Sequence, residues 1–159
     1  MSSLPKMIDE HAMKPTVLFD IDGTLAKIDH RRSLVTQEKP DWKAFNSLMG
    51  EDIPNIPIVK LYHTLWQSND YQIILVTGRS EEFRKITETW LTWNEIPFGR
   101  ILMRQISDGR SDDKVKADIL KQLAEEKHDV LFVVDDRDKV VNMWRHHGIT
   151  CLQCEYGDF

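Results

Sequence analysis

Short apolar runs alternate along this chain with longer stretches in which apolar residues recur every three or four positions. Val17-Leu18-Phe19, Tyr71 to Val76 (YQIILV), Arg100 to Met103, Asp129 to Val134 (DVLFVV) and Ile149 to Gln153 are the runs. They have the length of buried parallel strands rather than of half-exposed ones. Between them the pattern predicts helices. One spans about Ile58 to Ser68, with Val59, Leu61, Tyr62, Leu65 and Trp66 as a broad apolar face. A second opens at Ser80, an N-cap followed by Glu81 and Glu82, and is striped by Phe83, Ile86, Trp90 and Trp93. At that spacing the tryptophans read as core. Two more cover about Asp113 to Glu126 and Lys139 to His147, the latter stopped by Gly148.

Strands alternating with helices predict an α/β fold, a Rossmann-like parallel sheet of five main strands with helices on both faces. The stretch 27–57 departs from that rhythm. AKIDHRRSLVTQEKPDW shows no clear period, a short helix is expected around Asp41 to Met49, and the prolines of EDIPNIP break it. The first crossover thus carries about 30 residues more than it needs, which predicts a small cap-like insertion within one domain of residues 1–159. Residues 1–15 read as a loosely held leader.

Composition narrows the class. With 159 residues, 41% hydrophobic and 30% charged, the chain suits an ordinary globular protein. No run approaches a membrane span and the N-terminus lacks a signal peptide's apolar stretch, so no membrane partner and a cytoplasmic location are expected. The net charge of −5 argues against a broad basic surface for duplex binding. Cys151 and Cys154 form a lone C-x-x-C in the last strand, a weak metal signal, and read as packing residues. His30, His146 and His147 lie at no ligand spacing and read as surface or packing residues.

Polar residues of unusual type cluster where the strands end. Asp20 and Asp22 follow the first strand, Thr77 and Arg79 the second, and Asp135 and Asp136 the fourth, while Lys116 lies near the start of the helix after the third. In parallel sheets these carboxyl edges hold the ligand site. Four nearby carboxyls raise each other's pKa unless a cation sits among them, and oxygen-only ligands select a hard one, Mg2+. A carboxylate nucleophile needs such a cation beside an incoming phosphate, and a second acid to protonate the leaving alkoxide. Asp20 and Asp22 can fill those two roles. Thr77, neighbouring amides and a lysine can hold the phosphoryl oxygens.

The stretch LFDIDGTLA, with VTGR, a downstream lysine and the DD pair in order, resembles the haloacid dehalogenase (HAD) phosphatase superfamily. RSDDKVKADI, VVDDRDKVVNMWR and the final GDF bring it nearer to the 3'-phosphatase domain of bacteriophage polynucleotide kinase, from about Val17 to Phe159. The resemblance implies Asp20 as nucleophile, Asp22 as acid/base, Thr77 as phosphate ligand and Lys116, not Lys114, as catalytic lysine. It implies Mg2+ held by Asp20, by the backbone carbonyl of Asp22 and by one of Asp135 and Asp136, with Asp136 favoured as direct ligand and Asp135 as support. Arg31, Arg79 and Gly78 fall on the substrate phosphate or nucleic-acid end, and Asp112 on the aspartate that steadies the lysine. Plainer readings stand beside these: Arg31 and Arg32 as a solvated loop pair, Arg79 as a helix cap or partner of Glu82, Asp112 as an N-cap.

No G-x-x-x-x-G-K-[ST] occurs, so no kinase domain is expected in this chain. The expected activity is Mg2+-dependent removal of 3'-terminal phosphate from DNA or RNA ends through an aspartyl-phosphate. A 5'(3')-nucleotidase acting on free nucleotides is the alternative. A non-catalytic phospho-acceptor module fits least, because it lacks the second aspartate that Asp22 supplies.

Overall fold

The computed structural model describes residues 13–159, so most of the expected leader lies outside the described residues. Five parallel strands form the sheet: β1 (Thr16–Phe19), then, numbering the two short strands β2 (Ala26–Lys27) and β3 (Ile53–Pro54) in passing, β4 (Gln72–Ser80), β5 (Arg100–Arg104), β6 (Val130–Asp135) and β7 (Thr150–Gln153). Their order is β5-β4-β1-β6-β7. The chain leaves β1 toward one edge and returns across it to the other, which opens a crevice at the carboxyl end of β1.

Alternation along the central strands divides the core in two. Val17 and Phe19 of β1, with Ile73 and Leu75 of β4, pack on one face against α3 (Ile56–Ser68) and α4 (Arg84–Trp93). Leu18, Ile74 and Val76 pack on the other face against α5 (Asp112–Glu125) and α6 (Asp138–His146). Every residue of β1 is buried, as a strand covered on both faces requires.

Two helix faces differ from those expected. In α4 the buried residues are Thr87, Trp90 and Leu91, whereas Ile86 is exposed and Trp93 is 85% exposed. A 3-10 turn over Glu81–Phe83 precedes α4, and its inward face is set by polar anchors. Thr87 Oγ1 accepts from Arg79 Nη1 at 3.0 Å, and Trp90 Nε1 donates to the Asp52 carbonyl at 2.7 Å. In α3, Val59 and Tyr62 are buried while Leu61 faces solvent.

The stretch between β2 and β3 is ordered and closed on itself. These two strands pair antiparallel, Ala26 with Pro54 and Lys27 with Ile53. Between them run α1 (Asp29–Thr36), α2 (Trp42–Ser47) and a 3-10 turn at Met49–Glu51. Helix α1 lies where the sequence shows no period, because its one buried residue is Arg31. Apolar periodicity cannot mark a helix whose inward face is a cation. The solvated-pair reading of Arg31 is therefore wrong.

Candidate active site

Strand β1 ends at Asp20, and the turn after it needs Gly23 at φ 83°. A β-carbon on Gly23 would lie 2.0 Å from Asp136 Oδ2, so both conformation and space demand glycine. The turn thus brings the acidic groups of β1 and β6 together. Asp20, Asp135 and Asp136, all buried, each offer an oxygen within 4.8 Å of the others'.

Lys116, on the first turns of α5, reaches into this cluster. Its Nζ donates to Asp20 Oδ1 at 2.8 Å and to Asp135 Oδ2 at 2.8 Å. Asp135 is otherwise occupied too, accepting from Trp144 Nε1 at 3.1 Å and from the Asp136 amide at 2.9 Å. Asp136 is only half occupied: its Oδ1 accepts from Thr24 Oγ1 at 3.5 Å, while its Oδ2 is buried and has no partner. One ammonium among three buried carboxylates leaves excess negative charge. Burial first, then the Asp135 charge, pushes Asp20 well above the usual carboxylate range and Asp136 to about 7. The charges of Asp135 and Asp20 overcome burial at Lys116 and raise its pKa, keeping it protonated. An all-oxygen donor set with one orphaned oxygen fits a hard divalent cation. Asp20 and Asp136 are the carboxylates that could hold it, since Asp135 is taken up by Lys116 and Trp144.

Asp22 stands apart from that triad. Its carboxylate receives Arg79 Nη2 at 2.6 Å and Arg31 Nη2 at 2.7 Å. Burial opposes ionisation there, but the Arg79 and Arg31 charges outweigh it and hold the carboxyl at about 2. The side chain of Asp22 is therefore no part of the cation cluster, and only its backbone carbonyl remains available for that role.

Behind Asp22 lies a residue that sequence reasoning missed. Asp52, buried, accepts from Arg31 Nε at 2.7 Å and Nη2 at 2.6 Å, and from Arg79 Nη2 at 3.1 Å. His30 Nε2 lies 2.7 Å from Asp52 Oδ1, so His30 is a site-network residue rather than a packing one. The available signal was an acidic residue set between breakers in EDIPNIP, which reads as an ordinary turn.

Thr77, Gly78 and Arg79 lie where the pairing of β4 with β5 slips, between Val76 and Ser80. That irregularity ends the regular ladder and re-aims the three residues. Thr77 is fully buried, and its Oγ1 accepts from the Arg79 amide at 3.1 Å. Gly78 admits Asp112, whose Oδ1 would lie 2.5 Å from a β-carbon there.

Asp112 is neither an N-cap nor in contact with Lys116. Ser111 is the capping position, and Asp112 is bound by Arg104 and, at 2.8 Å, by Arg137 Nη1. It acts on Lys116 only as a nearby charge. Arg137, next to the Asp135–Asp136 pair, is a second cleft residue that was overlooked. The free cysteines fit packing: Cys151 is buried, and Cys154 Sγ lies 3.7 Å from Thr24 Oγ1.

Asp20, Asp22, Gly78, Arg79, Asp112 and the Asp135–Asp136 pair border a cleft of about 570 Å³, with Lys116, Arg31 and Asp52 buried behind them. A buried aspartate at the end of β1, a lysine on it, a DD pair beside it and a second aspartate two residues on define, on this fold, a HAD-type phosphatase. The chain belongs to the family of the polynucleotide kinase PNKP phosphatase domain, whose model matches residues 14–159. It is thus a phosphoric monoester hydrolase, and the phospho-acceptor reading falls away.

A chain of the Pnkp1/Rnl/Hen1 RNA repair complex matches at 30% identity and a TM-score of 0.78, over 92% of this chain and 44% of that one. A viral protein of Autographa californica nuclear polyhedrosis virus, named provisionally as a bifunctional polynucleotide kinase/RNA ligase, is 26% identical over 130 residues, 81% of this chain and 17% of that protein. This chain therefore spans less than half of either. A haloacid dehalogenase-like hydrolase from Streptococcus pneumoniae shares the fold at a TM-score of 0.58 and 18% identity, over 89% of this chain and 84% of that one. Among the described residues no helix is long and apolar enough to cross a membrane.

Proposed function

We propose that this chain is a Mg2+-dependent phosphatase that removes 3'-terminal phosphate from DNA or RNA ends through an aspartyl-phosphate on Asp20. The observation that carries the chemistry is the Lys116 bridge from Asp20 to Asp135, with the unpaired Asp136 oxygen beside it. The nucleic-acid end as substrate rests on membership in the polynucleotide kinase phosphatase family and on likeness to a chain of an RNA repair complex.

Asp20 attacks phosphorus, and the 3'-oxygen leaves with a proton from Asp22. Lys116, Thr77 and nearby amides hold the non-bridging oxygens as charge builds on them. Asp22 is clamped as an anion by Arg79 and Arg31 in the free site. A phosphate dianion entering beside it competes for those guanidiniums, which loosens the clamp and lets Asp22 carry a proton. Asp22 then takes a proton from the water that hydrolyses the acyl phosphate. Asp20, Asp136 and the Asp22 carbonyl, with Asp135 in support, would hold Mg2+, which would supply charge to offset the repulsion between carboxylates and phosphate. Arg79, Arg31, Gly78 and Asp112 shape the substrate side, and residues 27–57 serve as a small cap within a single domain.

The test is a phosphate-release panel. A 3'-phosphorylated oligonucleotide is expected to exceed both its 5'-phosphorylated counterpart and free nucleotides in kcat/KM. Better turnover of free 5'-nucleotides would replace this reading with a nucleotidase.

A further inference from the structure

The cleft has an apolar stretch of wall that the chemistry above does not use. Ile28, Val35, Trp42, Phe45 and Asn46 line it, all from the excursion between β2 and β3. Trp42 is 51% exposed, although the large apolar side chains Trp90 and Trp144 are buried. Trp93 is more exposed still but does not line the cleft. Asp41 caps α2 by accepting from the Ala44 amide at 3.0 Å, which sets where the helix begins. The indole then stands edge-on to Phe45, with ring centroids 5.6 Å apart.

Phe45 links this wall to the proton donor. The Arg31 guanidinium lies 4.2 Å from the Phe45 centroid, and the same guanidinium bonds Asp22. The oxygen that Asp22 protonates is the one joining phosphate to the rest of the substrate. The excursion's wall is thus joined to Asp22 through Arg31, and whatever that oxygen carries has this wall beside it. Asn46, four residues after Trp42 on the same helix face, adds a donor and an acceptor beside the exposed ring.

We infer that Trp42, with Val35 and Asn46 beside it, receives the base of the 3'-terminal nucleotide, so that the excursion reads the leaving group as a nucleoside. This rests on the 3'-end reading above and deepens it. A flat exposed indole stacks any of the bases, because each has a π-face, and a base covers more of it than the sugar alone can, while a chain phosphate gains nothing from it. Chain phosphates further from the end find cations elsewhere on the cleft, at Arg137 and Lys139. The wall thus selects for the presence of a base, not for its identity.

The test compares two substrates: a 3'-phosphorylated oligonucleotide and the same oligonucleotide with an abasic terminal nucleotide. Trp42→Ala is expected to lower kcat/KM on the base-bearing end by roughly 10- to 100-fold, mainly through KM. The abasic end should be hydrolysed at the wild-type rate, and Trp42→Phe should stay within a few-fold of wild type on both. Trp93→Ala, outside the cleft, is the control. In a second measurement, Asp20→Asn protein titrated with the 3'-phosphorylated oligonucleotide should show quenched tryptophan fluorescence, and adding Trp42→Phe should remove the quench. Equal loss on both ends would reduce Trp42 to a structural residue and overturn the inference, as would no loss on either. Wild-type protein that leaves 3'-phosphorylated ends intact would overturn the function itself, an outcome read before any variant is made.

Discussion

Arg31 and Asp52 meet as a buried two-pronged pair, Nε to Oδ1 at 2.7 Å and Nη2 to Oδ2 at 2.6 Å. They come from near the two ends of the excursion between β2 and β3, and so tie it shut over the site. Through Arg31 and Arg79 the same aspartate orients both cations that clamp Asp22.

Asp52→Ala should consequently cost about 3–5 kcal/mol of stability, because it leaves two buried guanidiniums short of a partner. Urea unfolding at neutral pH measures this. Asp52→Asn, which keeps the shape and part of the hydrogen bonding, should cost less yet still reduce kcat. Wild-type stability in Asp52→Ala would mean that the pair does not hold the excursion.

Asp20→Asn should lower turnover by at least ~10³-fold while leaving the far-ultraviolet circular dichroism spectrum unchanged, since the amide keeps the shape and loses the nucleophile. Asp22→Asn should also be severely impaired, through the proton it no longer donates. Near-normal phosphate release from Asp20→Asn would remove the aspartyl-phosphate from the mechanism.

Lys116 is buried against Asp20 and Asp135, whereas Lys114, two residues earlier on α5, is exposed. Lys116→Ala should therefore slow the reaction at least ~100-fold, the loss of a charge-assisted contact to the transferring phosphoryl group. Lys114→Ala should be nearly silent. The reverse pattern in a side-by-side rate assay would assign the role to the wrong lysine.

The acidic triad makes stability depend on pH and on metal. A carboxyl whose folded pKa lies above its unfolded one binds more protons when folded, so stability falls as pH rises between the two values. For Asp136, raised to about 7 by burial and by Asp135, metal-free protein should lose stability from about pH 4 to pH 7. The loss should be no more than about 4 kcal/mol. Millimolar Mg2+ should remove most of it, and chelator should restore it and abolish activity. Chemical denaturation across pH, with and without Mg2+, reads both effects. An unchanged unfolding midpoint on adding Mg2+ at pH 7 would rule out the triad as the cation site.

Asp22 behaves in the opposite sense. Its folded pKa is held at about 2 by Arg79 and Arg31 against the cost of burial, so its stabilisation is full above about pH 4 and disappears as pH falls toward 2. The contribution at stake is about 2 kcal/mol. Below pH 4 the wild type should lose stability faster than Asp22→Asn, which lacks this titration. Parallel acid limbs in the two proteins would show that the clamp contributes nothing there.

The five strands of the sheet, most of its helices and the meeting of Asp20, Thr77, Lys116, Asp135 and Asp136 at one edge were legible in the sequence. Apolar burial is encoded locally, by runs that suit a strand covered on both faces and by repeats that suit a helix. Parallel topology then carries every strand end to the same side. Where an element's buried face is polar, the code fails. Helix α1 turns Arg31 inward, and α4 turns Thr87 inward in place of Ile86. A hydrophobic pattern registers neither.

What the tertiary structure alone decided is the pairing of charges. Arg31 meets Asp52 across 21 residues, Arg79 meets Asp22 across 57, and Lys116 meets Asp20 across 96. A buried ion is tolerable only beside its partner, and nothing near it in the chain says which residue that is. The two aspartates of the first motif read alike in sequence, yet one faces a lysine and two carboxylates while the other faces two arginines. Their pKa values are accordingly driven in opposite directions, Asp20 up and Asp22 down to about 2. That separation depends on charges delivered by distant segments, which only the folded chain brings together.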